Sequence, residues 1–124
     1  MNNPIIGLIV IINYALAGQA IAAEEWQASA LSRETINKVQ SETVEYHRCL
    51  GGEISQMRNT QLDSRDATSL ILKKCENKLI PIKETFLSEN VEVATVNRFL
   101  MRKRHQAVRK VLQAMMFAQS QRTP

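Results

Sequence analysis

Two cysteines, Cys49 and Cys75, flank one polar segment, Asn59-Thr60-Gln61-Leu62-Asp63-Ser64, and Leu62 lies midway between them. Asn, Asp, Ser and Thr side chains bond to nearby backbone and draw a chain out of helix, so the segment reads as a turn. On either side of it apolar residues recur at three- and four-residue steps, the spacing of one helical face. Before the turn the stripe is Ala28, Thr35, Val39, Thr43, Tyr46, Leu50, Ile54 and Met57, with Cys49 on its flank. After the turn it is Leu72, Cys75, Leu79, Ile82 and Phe86. Two antiparallel helices meeting near Leu62 bring the cysteines to matching heights on faces that pack together. The spacing therefore predicts a disulfide-linked antiparallel helical hairpin. Closing that loop contributes roughly 3.5 kcal/mol on the chain-entropy argument. The alternative use of the same residues is two buried free thiols.

Two local features disturb the pattern. Gly51-Gly52 sits inside the first helical stretch, at a cost of about 1 kcal/mol per residue relative to Ala. The stripe resumes in phase at Ile54, so the pair predicts a weakened or bent helix and not its end. Pro81 sits inside the second stretch, where it lacks a donor and crowds the carbonyl of Asn77. The stripe passes through it to Ile82 and Phe86, which predicts a kink more than a break.

Ser88-Glu89-Asn90 marks a boundary, with Ser88 or Asn90 as the cap of a third helix. From Val91 to about Ala118 there is no Gly and no Pro. Val93, Val96, Leu100, Ala107, Val111, Ala114 and Ala118 form its apolar stripe, and residues 119–124 are expected to fray. Met115, Met116 and Phe117 point to different sides, so at least one is exposed unless the tail docks or meets a second subunit. A homodimer through this helix is one such arrangement. The fold class is thus all-α: a hairpin plus a long C-terminal third helix.

Arg98, Arg102, His105 and Arg109 on that helix fall within about 60° of one another at about 100° per residue. Lys103, Arg104 and Lys110 lie nearby, and no Asp or Glu follows Glu92. This cationic side suits an anionic partner: lipid or lipopolysaccharide headgroups, or an acidic protein surface. It also suits a plain solvated face balanced by acids on the other helices, such as Glu42, Glu45 and Glu53. Arg104 lies close to the apolar stripe, placed to snorkel or to pair with a buried acid.

Composition enters through the N-terminus. The first 23 residues carry no charged side chain, and an apolar run from Ile5 to Ile12 precedes Ala20-Ile21-Ala22, Ala23 and then Glu24-Glu25. An apolar block, small residues and abrupt charge describe a secretory signal peptide. Residues 1–22 are read as that leader, with cleavage after Ala22 or Ala23. The run before Ala20 is short for a membrane span, and the n-region lacks Lys and Arg, so an uncleaved anchor is the alternative. Residues 23–124 form one small helical domain carrying the whole net charge of +4. Export makes the cysteine pair a disulfide and implies a periplasmic or secreted location.

No catalytic or cofactor motif is present. His47 lies beside Cys49, but that cysteine is better used in a disulfide than as a nucleophile. The His and Cys spacing matches no zinc pattern, and no phosphate loop or nucleophile elbow occurs. The basic helix lacks interleaved aromatics, which with export argues against nucleic acid. In general character the chain resembles the small helical proteins of bacterial envelopes, a likeness that assigns no residue a role. The expected function is non-enzymatic, without cofactor or metal: a protein-binding or structural module of the envelope. The alternative is an envelope-surface binder using the basic helix on anionic lipid or lipopolysaccharide.

Overall fold

The computed structural model describes residues 31–122. The leader of residues 1–22, its cleavage residues Ala20, Ala22 and Ala23, and Ala28 of the first stripe lie outside the described residues, as do residues 123–124.

The chain forms α1 (Arg33–Met57), α2 (Ser64–Cys75), a 3-10 turn (Glu76–Leu79), α3 (Ile80–Ser88) and α4 (Val93–Arg122). There is no strand among the described residues. The first arm is α1 and the second is α2 continued by the 3-10 turn and α3. The long α4 closes the hairpin into an all-α bundle, packing along α2 and against α1 and α3.

Each start has a sequence cause. Ser32 caps α1, its hydroxyl accepting from the Thr35 amide at 3.1 Å. Asp63 caps α2 by accepting from the Arg65 amide at 2.9 Å. Both side chains satisfy amides that the first helical turn leaves without partners. Between the helices the Thr60 amide closes the turn on the Met57 carbonyl at 3.0 Å.

Cys49 and Cys75 are disulfide-bonded, with Cα atoms 5.8 Å apart. The hairpin register expected from the turn at Leu62 is therefore the register of the structure. Tyr46, Leu50, Leu79 and Ile82 of the expected stripes are buried with Cys75. On α2 Ile71 is fully buried; Leu72, which the spacing favoured, is half-buried. Gly51 and Gly52 are exposed, and α1 runs through them without a break.

Pro81 acts through the turn before it. A regular helix would offer the Asn77 carbonyl to residue 81, which has no N–H. The chain tightens instead, and the Ile80 amide bonds the Asn77 carbonyl in i,i+3 fashion. Pro81 then falls in the first turn of α3, where no donor is needed. The expected kink is this 3-10 turn.

The boundary after α3 differs from the expectation. Ser88 and Asn90 do not cap α4; they finish α3. The Asn90 amide bonds Leu87 at 3.1 Å and the Val91 amide bonds Phe86 at 3.2 Å, the paired bonds of a Schellman motif. Asn90 is left-handed, with φ 58°. An Asn side chain can cap a helix by accepting from its first amides, yet its tolerance of positive φ is what this position uses. The Ser88 hydroxyl donates back to the Thr85 carbonyl at 2.7 Å.

Fraying was expected from Gln119, but α4 continues through Arg122. Ala118 is buried, and the Gln119 side-chain oxygen accepts from the Ser64 amide at 2.9 Å. That bond ties the last turns of α4 to the first turn of α2, a long-range contact invisible in local composition. Of the three adjacent apolar residues, Met115 is buried and Met116 and Phe117 are exposed.

Candidate functional site

The candidate site is the outer face of α4. The helix buries Val96, Leu100, Ala107, Val111 and Met115 against the hairpin. The 3.6-residue period then turns Arg98, Arg102, His105 and Arg109 outward, and all four are exposed. The structure thus keeps the four predicted residues together on one side of one helix. Arg98 donates to the Thr95 hydroxyl at 3.3 Å, a local contact with a neutral group.

The acids expected to balance this face are engaged elsewhere. Glu42 accepts from the Thr85 hydroxyl at 2.9 Å, between α1 and α3. Glu45 pairs with Arg48 on its own helix. Glu53 pairs with Lys74 at 2.8 Å, across the hairpin. Among the described residues no carboxylate forms an ion pair with Arg98, Arg102, His105 or Arg109.

The neighbouring cations have different surroundings. Arg104 bonds Glu76, so it pairs with an acid, and that acid is half-exposed and not buried. Lys103 lies over the Phe99 ring, 5.2 Å from its centroid, and Phe99 meets Phe86 edge-on at 5.0 Å. Lys103 and Lys110 face α1 closely enough to act on His47, whose pKa is held below its ordinary value by burial first and by these two charges next.

Beside the cationic stripe runs an apolar flank that the sequence reading overlooked. Met101 is 54% exposed and Val108 is exposed. At about 100° per residue these two and Leu112 lie next to His105, between the cations and the buried stripe. The signal was present as a second i,i+7,i+11 spacing, but it is hidden when only one apolar face is sought.

Cys49, two residues from His47, is bonded to Cys75. Among the described residues no three His, Cys, Asp or Glu side chains are grouped to hold a metal ion. No described helix is long and apolar enough to cross a membrane. A buried disulfide is compatible with an oxidising, extracytoplasmic environment. Fold and site together define a disulfide-tied, all-α module with an exposed cationic helix face. No protein-family description, curated protein or solved structure matches the chain.

Proposed function

We propose that this protein is an exported, non-enzymatic binding module of the cell envelope, periplasmic or secreted, that docks an acidic partner protein through the outer face of α4. The observation that carries the reading is the fate of the acids. Glu42, Glu53 and Glu76 are engaged between elements and Glu45 pairs along its own helix, so among the described residues Arg98, Arg102, His105 and Arg109 stand exposed without an ion-pair partner. Like charges at this spacing repel by a few tenths of a kcal/mol, so helix stability alone does not call for them. The apolar flank of Met101 and Val108 supplies area to bury beside the charges.

A photo-crosslinker placed at Arg102 in the exported protein tests this. The expected result is one envelope protein captured at low salt and lost in the charge-reversed variant R98E/R102E/R109E. Abundant protein that crosslinks to nothing, or capture indifferent to charge reversal, overturns it. The intact mass of the same exported protein reports whether residues 1–22 are removed and whether the disulfide is formed.

The second reading places the same face on anionic lipid. It is favoured by the apolar flank lying alongside the cations, the arrangement of helices that rest in a membrane interface. Sedimentation with phosphatidylglycerol vesicles separates the two. Binding that weakens with salt and vanishes on charge reversal supports lipid, and no binding at low salt excludes it.

A further inference from the structure

The C-terminal ends of α1 and α4 enclose a groove of about 460 Å³, apart from the outer face of α4. Small-molecule sites run from roughly 300 to 1,000 Å³. Ile54, Met115 and Phe117 give the groove apolar lining, while Arg58, Asn59 and Arg122 give it polar groups. Among the described residues no carboxylate lines it and neither arginine has an acidic partner. One guanidinium nitrogen of Arg122, Nη1, is removed from water and has no acceptor. Phe117 is 67% exposed, so an aromatic ring borders the groove while still in water.

Basic side chains at helix C-termini complement the macrodipole, and that accounts for Arg58 and Arg122 being where they are. It does not account for both guanidinium groups bordering an apolar groove whose described lining holds no acid. Guanidinium groups take carboxylate or phosphate oxygens in paired, charge-assisted bonds.

We propose that this groove binds a single-chain anionic amphiphile, its acid head held by Arg58 and Arg122 and its chain laid on Ile54, Met115 and Phe117. The site is independent of the α4 outer face. The head gives the two guanidinium groups an acid partner, and Phe117 loses contact with water to the chain.

The test titrates the mature, disulfide-intact protein with decanoate below its micelle concentration, following backbone amide resonances. Decyl phosphate, decanol and decyltrimethylammonium are run in parallel. Saturable shifts centred on Ile54, Arg58, Phe117 and Arg122 are expected for the two acids, and the tighter of them names the head group. Arg122→Gln and Arg58→Gln should each weaken binding roughly tenfold, the loss of one charge-assisted bond. Phe117→Ser, at an exposed position, should weaken it without moving the melting temperature. Arg102→Gln should leave it unchanged, which keeps this result distinct from the partner reading of α4. Equal binding of decanol, shifts scattered away from the groove, or affinity indifferent to Arg58→Gln and Phe117→Ser overturns the proposal.

Discussion

Arg104 Nε donates to Glu76 Oε1 at 2.8 Å, and Arg104 Nη2 donates to the same oxygen, joining α4 to the residue after Cys75. The contact crosses the seam between the two arms of the hairpin and α4, with Tyr46 buried close by. Both partners are about half in water, so solvent screens the pair and its worth is at most about 1 kcal/mol. Its sharper signature is on Tyr46. Burial raises the phenol's pKa above 10, Glu76 raises it further and Arg104 opposes them. Glu76→Gln should therefore lower the Tyr46 pKa, and Arg104→Gln should raise it, read by phenolate absorbance in an alkaline titration. Shifts of the opposite sign would contradict this placement of the pair.

Reduction of the Cys49–Cys75 bond should remove roughly 3.5 kcal/mol, because it frees a loop that the bond closes in the unfolded chain. Urea unfolding with and without a strong reductant measures it. An unchanged midpoint would mean that the bond constrains nothing the helices do not already constrain.

Gly51 and Gly52 occupy helical backbone without positive φ, and a methyl group added at either meets nothing within 4 Å. Gly51→Ala and Gly52→Ala should each raise stability by about 0.5–1 kcal/mol, through lower entropy of the unfolded chain. Thermal melts of the two variants check this, and a loss of stability would point to a contact at that turn.

Asn90 holds a left-handed conformation at the end of α3. Asn90→Gly should be neutral or stabilising, since glycine enters that region freely. Asn90→Val should cost roughly 1–2 kcal/mol. The difference between the two melts isolates the backbone term from any side-chain contact.

His47 makes stability depend on pH. Its folded pKa is below the ordinary 6.5, owing to burial and then to Lys110 and Lys103. Above 6.5 the imidazole is neutral in both states, and its full contribution is present. As pH falls below 6.5 the unfolded chain takes up the proton first, so stability declines until the lower folded value is passed. Lys103→Gln/Lys110→Gln should move the His47 titration upward and narrow that window, measured by NMR of the ring protons.

Several elements were legible because their signals are local. Helical spacing marked Tyr46, Leu50, Leu79 and Ile82 as core, and the central turn set the height at which Cys49 meets Cys75. The four outward cations of α4 followed from the same period. Other features needed partners remote in sequence. Ile71 and Leu72 are adjacent and both apolar, and only the position of α1 and α4 decides that Ile71 goes inside. Ser88 and Asn90 were legible as a boundary, while their service to α3 depends on which carbonyls lie within reach.

The class of fold, the hairpin register and the cationic side of the third helix follow from residue order alone, since periodicity and spacing act within one chain segment. What those charges can do depends on how the helices pack. Glu42 and Glu53 are as acidic as the sequence says, yet packing turns them toward Thr85 and Lys74 of other helices. Coulombic pairing falls off with distance, and distance between helices is a property of the fold alone.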